Sequence, residues 1–408
     1  MYNKSRVNLL AFSSRHRTIL DSLCIFLSPV KGTSMNCLKN GPDNQTKVDS
    51  GIIHSHHSSS SQSQRENNTD SGSSTSHAIA RDLDGNHMED TSCAIEVDID
   101  TTYPHDAWEE RYSKQFPEAR HVKQKSLVNG PEPQGNVIRF VCMSDTHGRI
   151  ERVDFCKRVP HGDVLLHAGD FTMYSELNEY VAFNDFLAKL PHKVKLAIPG
   201  NHEIALDPRG FNSYHTKLRR ALGSTVAESE LSLQDLIKET KSLVSEARIL
   251  IDEMVEICGI KIYGLPWLPQ YGLHGFGLSR GKLLLNRYNN CPAGIDILLS
   301  HGPPLGFGDF TLRRKHVGCV ELLNSVTKRI KPKYVVSGHI HEGYGIQTDG
   351  KTTYINCATC NKDYRPSQDP IVFDYVLPDP YTREDLELLS NHDLQVTKPW
   401  KEFGSQDR

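Results

Sequence analysis

Five apolar runs between residues 138 and 337 of this chain each end in polar residues of the kind that bind metal ions. The clearest run begins at Val335 and reaches a glycine, after which His339 and His341 follow with one residue between them. On an extended segment, this spacing directs both imidazoles to the same side. Two histidines on a surface turn would show the same spacing, so the other four runs must decide between these interpretations.

The other four runs end in the same kind of side chain. They lead to Asp145 and His147, to Asp170, to Asn201 and His202, and to His301. In open α/β sheets, ligands bind where the carboxyl ends of the strands meet, so side chains from five strand ends can converge on one crevice. Considered alone, each aspartate could equally well cap a helix, and the asparagine could equally well form a turn. However, no packing requirement explains why all five runs end in potential metal ligands.

The donor set predicts the class of metal. Two carboxylates, one amide oxygen and four imidazoles are more typical of a pair of divalent ions with octahedral preference than of one tetrahedral zinc ion. We therefore expect two divalent metal ions as cofactors, with Mn²⁺ favoured and iron or zinc as alternatives.

Short apolar runs alternate with helical spacing along the same part of the chain. Strands are predicted over residues 138–143, 163–167, 194–199, 248–258, 260–264, 295–300, 333–337, 352–356 and 371–376, and helices over 177–187, 211–222, 231–245 and 320–330. Near-continuous apolar strands of this kind are typical of sheets that are covered by helices. The sequence therefore predicts an α/β fold.

Composition divides the chain into four parts. Residues 51–80 contain ten serines and four histidines but few apolar residues, so burial there cannot offset the entropy lost on ordering. We predict a disordered low-complexity extension over 1–93 and a transitional arm over 94–134. A folded domain is predicted over 135–378 and a polar tail of loose helix and coil over 379–408.

Charge and cysteine content exclude several classes of protein. A formal net charge of −3 gives no electrostatic reason to expect nucleic-acid or membrane-surface binding. Ten cysteines in 408 residues are too few for a disulfide framework. A reducing compartment is therefore expected, and the C-x-x-C pair of Cys357 and Cys360 is interpreted as structural.

The sequence carries no recognisable membrane or secretory signal. No run approaches the ~20 apolar residues that a spanning helix requires, and no secretory cleavage pattern follows the N-terminal apolar stretch. These observations predict a cytoplasmic protein. The basic, acid-poor residues 1–40 leave a mitochondrial transit peptide as the alternative.

The ordered motifs D-x-H, G-D, G-N-H-E, H-G and G-H-x-H resemble those of the calcineurin-like metallophosphoesterase superfamily. The segments GNHE, HGPPLGFGD, VGCVELLN, HEGYGIQTDGKTTYINCATC and PIVFD resemble its metallophosphoesterase domain-containing branch, over residues 136–377. The resemblance implies a four-layer αββα sandwich with a dinuclear metal centre at the strand ends. Residues 1–130 and the last 30 residues match no motif of that branch.

The resemblance also implies a role for each motif residue. The first metal ion would be bound by Asp145, His147 and His341, and the second by Asn201, His301 and His339, with Asp170 bridging the two. In this branch a glycine can replace the histidine at position 339, which would weaken the metal site, so the histidine here implies full activity. A metal-bridging hydroxide would attack the phosphorus atom, while His202 would protonate the leaving oxygen.

Four further side chains are candidates for contacts around the site. Trp267 and Phe307 could stack on a nucleobase, although packing beneath loops is an equally good interpretation. His167 and Glu203 lie beside ligands in the sequence and are expected to orient them.

Three functions remain open at this stage. The first is a phosphodiesterase that acts on small cyclic nucleotides, including 2′,3′-cyclic AMP and 3′,5′ forms. The second is a phosphomonoesterase or protein phosphatase on the same fold, and the third is a nucleotide-binding scaffold with residual activity. The sequence indicates neither the base preference nor the oligomeric state.

Overall fold

The computed structural model of the chain describes residues 95–123, 135–150, 154–210, 232–272, 274–389, 391 and 394–398. The predicted disordered extension over 1–93 and the predicted helix over 211–222 lie outside the described residues. All of the described residues belong to one compact unit.

Two main sheets contain most of the strands. In chain order the strands are β1 (Arg120–Val122), β2 (Val137–Met143), β3 (Val164–His167), β4 (Val194–Ala197), β5 (Arg248–Ile249), β6 (Glu253–Ile257), β7 (Ile260–Leu265), β8 (Leu268–Pro269), β9 (Gly277–Leu278), β10 (Ile297–Ser300), β11 (Tyr334–Ser337), β12 (Gly345–Thr348), β13 (Thr353–Asn356), β14 (Ile371–Val376) and β15 (Val396–Thr397). One sheet has the order β14-β2-β3-β4-β5 and the other the order β1-β12-β13-β11-β10-β7-β6-β15, while β8 pairs with β9.

The strands that carry the metal-binding motifs run parallel to one another within each sheet. In the first sheet β2, β3, β4 and β5 are parallel, and in the second sheet β7, β10, β11 and β13 are parallel. Antiparallel strands, such as β14 beside β2 and β6 beside β7, flank these parallel sets. In each sheet, the carboxyl ends of the strands that carry motifs therefore lie at one edge, and the motif residues lie in the loops that follow them.

Alternating side chains of each strand enter two different cores. Ile138 and Phe140 of β2 pack in one cluster with Ile297 and Leu299 of β10, which places that cluster between the two sheets. The intervening residues, such as Val141, belong to a second cluster that contains the buried faces of the helices. This period of two explains how one sheet is covered on both faces. The four-layer αββα arrangement implied by the family resemblance is confirmed.

The longer helices cover the outer faces of the sheets, whereas Leu386 of the last helix packs in the cluster between the sheets. In chain order they are α1 (Pro104–Ala107), α2 (Ser113–Gln115), α3 (Leu177–Leu187), α4 (Leu233–Ser242), α5 (Lys282–Asn289), α6 (Val320–Asn324) and α7 (Arg383–Glu387). Helix α3 begins at a capping box in which the Glu179 carboxylate accepts from the Glu176 backbone N–H at 2.9 Å. Leu177, Tyr180 and Leu187 then lie on its buried face, as their spacing predicts.

Several predicted elements differ from the observed ones. The single strand expected over 248–258 is two strands, because a bend at Asp252 (φ 51°) sends β5 into the first sheet and β6 into the second. The helix expected over 320–330 is α-helical only to Asn324 and continues as a π-helix over Ser325–Ile330. Helix α5 and strand β12 were not predicted at all.

The described part of the transitional arm packs on the domain. Strand β1 extends the second sheet by pairing antiparallel with β12. The Trp108 ring lies against Gly306, and it meets Phe307 edge-on with ring centroids 5.8 Å apart. Part of the predicted tail is also ordered, since β15 pairs with β6. These contacts resolve the position of the arm, which the sequence does not predict.

Among the residues that the structure describes, no helix is long and apolar enough to cross a membrane. Cys357 and Cys360 are both buried as free thiols. Burial raises the pKa of Cys360 to about 12, so the thiol is neutral at physiological pH.

Candidate metal centre

The loops after five strands bring the predicted ligands together. Strands β2, β3 and β4 deliver ligands from the first sheet, and β10 and β11 deliver them from the second. Asp145, His147, Asp170 and His339 all have left-handed backbone, with φ between 46° and 64°. Non-glycine residues rarely adopt this conformation, and strain of this kind clusters at functional sites.

One group of ligand atoms gathers around Asp145. The Nε2 atom of His341 lies 3.3 Å from Asp145 Oδ1, and His147 Nε2 lies 4.0 Å from the same oxygen. The two imidazole Nε2 atoms are 3.2 Å apart. The three side chains are buried and their ligand atoms are close enough to share one metal ion.

A second group gathers around His301. Its Nε2 atom lies 3.3 Å from Asp170 Oδ2 and 3.0 Å from Asn201 Oδ1. The His339 ring lies beside the His301 ring, with centroids 5.1 Å apart. Asp170, His301 and His339 again place their ligand atoms close enough to hold one metal ion, and the Asn201 amide oxygen adds a fourth donor.

The carboxylate of Asp170 lies between these two groups. Its Oδ2 atom is 3.3 Å from His301 Nε2 in one group and 3.9 Å from His147 Nε2 in the other. A carboxylate can ligate two ions at once, so this position fits a bridging ligand. The residues present therefore fit two metal ions that share Asp170.

The orientation of the imidazoles also fits metal binding. His301 Nδ1 donates to the Ala168 carbonyl at 2.8 Å, and His341 Nδ1 donates to the Asn361 carbonyl at 2.9 Å. A carbonyl only accepts, so the proton of the neutral ring lies on Nδ1, and the Nε2 lone pair faces the cluster. This is the arrangement by which proteins fix the tautomer of metal-binding histidines.

The charges of the site are strongly coupled in the absence of metal. Burial disfavours a charged imidazole, but the nearby Asp170 and Asp145 carboxylates outweigh it and raise the pKa of His301 and of His341 to about 9 each. Burial prevails at His147, where it lowers the pKa to about 4. At His339, burial and the charge of His301 lower the pKa to about 3. The two imidazoles that contact the carboxylates thus favour the protonated form, whereas His147 and His339 favour the neutral form.

His202 lies at the open side of the cluster. Its Nδ1 donates to the Met173 carbonyl at 2.7 Å, and its Nε2 lies 4.0 Å from Asp170 Oδ2. Burial opposes protonation, but the Asp170 charge and the Met173 carbonyl together raise the pKa of His202. The side chain is 14% exposed, so it is more accessible than His301 or Asp170. His147, Asp170 and His202 also form a group that could hold an ion, so His202 has two possible roles.

Two glycines let the chain pass close to the ligands. A Cβ atom at Gly338 would lie 2.1 Å from Asp145 Oδ2, and one at Gly200 would lie 2.3 Å from Asp170 Oδ1. Only glycine allows this approach. The positions of these glycines in the sequence motifs therefore follow from the geometry of the site.

Glu203 and His167 are buried and contact the loops that carry the proposed ligands. The buried Glu203 carboxylate accepts from the backbone N–H groups of Asp170 at 2.9 Å, Gly200 at 2.6 Å and Thr172 at 2.7 Å. It therefore fixes the backbone of two motif loops rather than a ligand side chain. His167 Nε2 lies 3.3 Å from Thr146 Oγ1, between the two aspartate motifs.

Trp267 and Phe307 lie away from the mouth of the site. Trp267 is fully buried and donates from Nε1 to Asp252 Oδ2 at 2.7 Å. Phe307 is 1% exposed and stacks on Tyr354 with ring centroids 3.9 Å apart. Their burial favours the interpretation that both pack beneath loops.

Different aromatic residues lie at the mouth of the site, and no sequence motif identifies them. Tyr364 lies edge-on to His147 with ring centroids 4.9 Å apart, and His274 lies 5.2 Å from His202. Tyr271 stacks on His274. Neither tyrosine belongs to an apolar run or to a metal motif, so no sequence signal identifies them.

Comparison with known proteins identifies the family of this chain. The family model of the calcineurin-like phosphoesterases matches residues 138–343. The human metallophosphoesterase domain-containing protein 1 is 41% identical over 261 residues, which cover 63% of this chain and 77% of that protein. The UPF0046 proteins T07D4.2 and C25E10.12 of Caenorhabditis elegans are 42% and 39% identical, over 68% and 71% of this chain and 69% and 98% of their own lengths. The chain therefore belongs to the calcineurin-like phosphoesterases, a family of metal-dependent enzymes that hydrolyse phosphoester bonds.

Proposed function

We propose that this protein is a dinuclear phosphodiesterase that acts on small cyclic nucleotides. The observation that carries the proposal is the position of Asp170 Oδ2 between His301 Nε2 at 3.3 Å and His147 Nε2 at 3.9 Å. One carboxylate between two sets of imidazoles divides the donors into two adjacent sites, which is the donor arrangement of enzymes that transfer phosphoryl groups with two metal ions.

Each side chain has a defined part in this proposal. Asp145, His147 and His341 hold the first ion, and Asn201, His301 and His339 hold the second, with Asp170 common to both. When bound, two divalent ions supply Lewis-acid charge and lower the pKa of water, so that a nucleophile is available near neutral pH. Mn²⁺ suits the mixed oxygen and nitrogen donors best, with iron and zinc as the alternatives.

His202 is the proposed general acid. Its Nδ1 donates to the Met173 carbonyl at 2.7 Å, which fixes the ring and leaves Nε2 toward the metal-binding side chains. The Asp170 charge raises the pKa of His202, which favours the imidazolium, and in this proposal the protonated Nε2 donates its proton to the departing oxygen. A proton held at this atom promotes release of an alkoxide, which is the poor leaving group of a nucleotide diester.

The first test compares a diester with a monoester. Bis-p-nitrophenyl phosphate and p-nitrophenyl phosphate are each incubated with Mn²⁺ and wild-type protein or Asp170→Asn. We expect diester turnover that the substitution abolishes. Faster turnover of the monoester would instead identify a phosphomonoesterase or protein phosphatase on this fold.

The second test addresses the natural substrate class. We expect hydrolysis of 2′,3′-cyclic AMP or of a 3′,5′-cyclic nucleotide by the Mn²⁺-loaded protein. If the folded, metal-loaded wild type turns over no phosphoester but binds a mononucleotide, the proposed enzyme is wrong and the nucleotide-binding scaffold takes its place.

A further inference from the structure

Tyr364 lies directly over two of the proposed ligands of the first metal ion. Its ring meets the His147 ring at a centroid distance of 4.9 Å and an angle of 63°, and the His341 ring at 5.2 Å and 73°. The residue is nevertheless 42% exposed. The phenol therefore packs on the metal-binding side chains while part of it stays exposed to solvent.

The loop that carries Tyr364 is tied to the same ligands. His341 Nδ1 donates to the Asn361 carbonyl at 2.9 Å, and the Tyr364 backbone N–H donates to that same carbonyl at 2.9 Å. Tyr364 has φ 55°, a left-handed conformation that is uncommon for a large side chain. The backbone of Tyr364 is therefore strained, and its loop is hydrogen-bonded to a proposed metal ligand.

Tyr271 approaches the mouth from another loop. It is 74% exposed and stacks on His274 with ring centroids 6.2 Å apart and an angle of 12° between the planes. His274 in turn lies 5.2 Å from the proposed general acid His202. The Gly275 backbone N–H donates to the Asn201 carbonyl at 2.9 Å, which fixes this loop to the second group of ligands.

Both tyrosines pack on side chains that surround His202. Tyr364 meets His147, whose ring centroid lies 4.6 Å from that of His202, and Tyr271 stacks on His274, which also contacts His202. A neutral phenol does not repel the phosphate that the metal ions would hold. Its apolar face is available for stacking against a planar ring.

We propose that Tyr364 and Tyr271 form an aromatic subsite that binds the planar ring esterified to the substrate phosphate, which is a nucleobase in a nucleotide. This subsite rests on the proposed function, because it places the base of the proposed substrate beside the metal centre. Exposed tyrosines otherwise leave a large apolar face in water, and stacking of a base on such a face is favourable for every base. The subsite therefore selects for aromatic esters but not for a particular base.

The test measures binding rather than turnover. Adenosine 5′-monophosphate and ribose 5-phosphate share the phosphate and the sugar and differ in the base. Their Kd values are measured by calorimetry on the Mn²⁺-loaded full chain of the wild type, Tyr364→Phe, Tyr364→Ala, Tyr271→Ala and Tyr103→Ala. Tyr103 is a matched control because it is an exposed tyrosine in the arm, 69% accessible.

We expect the wild type to bind adenosine 5′-monophosphate at least about tenfold more tightly than ribose 5-phosphate. Each alanine substitution at the mouth should weaken adenosine 5′-monophosphate by at least about fivefold, the lower end of the effect of one stacked base. Binding of ribose 5-phosphate should stay within about twofold. Tyr364→Phe and Tyr103→Ala should leave both ligands within about twofold of the wild type.

Two results would overturn the subsite. One is equal affinity of the wild type for the two ligands, and the other is a parallel loss of both ligands in Tyr271→Ala at unchanged metal content. Tyr271→Ala is the decisive variant because Tyr271 packs on His274 and not on a proposed metal ligand. If base-dependent binding requires the tyrosines but the wild type turns over no phosphoester, the subsite is supported and the proposed function fails alone.

Discussion

Asp170 and His301 meet at 3.3 Å, between Oδ2 of the carboxylate and Nε2 of the imidazole. The two residues come from different sheets, since Asp170 follows β3 and His301 follows β10. Their contact therefore depends on the packing of the sheets as well as on the loops. The proposed metal centre lies where the carboxyl ends of both parallel strand sets meet.

Asp170→Asn should lower the metal content below one ion per chain and reduce diester turnover by at least about 100-fold. Removing a residue that only orients metal ligands costs 10–100-fold in affinity or activity, and a shared ligand should cost more. Metal content is measured by inductively coupled plasma mass spectrometry after exhaustive dialysis. The matched control is Asp163→Asn, since the buried Asp163 precedes the same strand and pairs with Arg383 at 2.7 Å. The control should lose stability but keep its metal, and equal metal loss in both variants would contradict the bridging role.

His202→Ala should leave the metal content unchanged and lower kcat by about 10²- to 10⁴-fold, the usual contribution of a general acid. The physical reason is the loss of the proton that Nε2 would donate to the leaving oxygen. Metal content and steady-state turnover are measured on the same preparation, with the exposed His121 replaced by alanine as a control. Loss of an ion in His202→Ala would assign His202 to the metal site instead.

Metal affinity should rise with pH between about 6 and 9. In the metal-free protein the pKa values of His301 and His341 are raised to about 9. Both rings are therefore protonated at pH 7, and each must lose its proton before Nε2 can bind a metal ion. Affinity increases as pH approaches the raised pKa and levels off above it. Calorimetry of Mn²⁺ binding in buffers of different ionisation enthalpy should report proton release at pH 7, and buffer-independent heats would contradict the prediction.

Gly306→Ala should destabilise the protein because the new methyl group would clash with Trp108 of the arm. Gly306 has φ +86°, and a Cβ atom there would lie 1.8 Å from the Trp108 ring. Gly294→Ala is the matched control, because Gly294 also has left-handed backbone but nothing within 4 Å of its Cβ position. Gly294→Ala should cost about 1–2 kcal/mol of unfolding free energy from backbone strain alone. Gly306→Ala should cost a further 1–3 kcal/mol or so from overpacking.

A double-mutant cycle tests the cause of that difference. In a Trp108→Ala background, the additional cost of Gly306→Ala should disappear, because the indole that the new methyl group meets is gone. Free energies of unfolding are taken from urea titrations of all variants. An additional cost that persists without the indole would show that the arm does not pack on this glycine in solution.

Local sequence patterns were sufficient to predict the parallel strands and their terminal motifs. Strand β2, for example, is an apolar run that ends at Met143, two residues before Asp145, and the other strands that lead to a ligand likewise end a few residues before it or directly beside it. A strand that is buried on both faces is apolar at nearly every position, whichever strands lie beside it. The sequence alone therefore reveals it.

The elements that were missed depend on tertiary contacts. Strand β12 has only half-buried residues and pairs with β13 on one side and with the arm on the other. Its pattern is accordingly weak. The break between β5 and β6 lies at Asp252, whose left-handed conformation no residue type predicts. Trp267 and Phe307 illustrate the converse, since an aromatic residue beside a motif looks the same in sequence whether it faces the ligand or the core.

The most direct measurement of the central claim is a titration of metal-free protein with Mn²⁺, in which bound metal and hydrolysis of bis-p-nitrophenyl phosphate are recorded together. If Asp170 joins two adjacent sites, the protein should bind two ions per chain, and full turnover should require the second. Saturation at one ion per chain with full turnover would contradict the dinuclear centre.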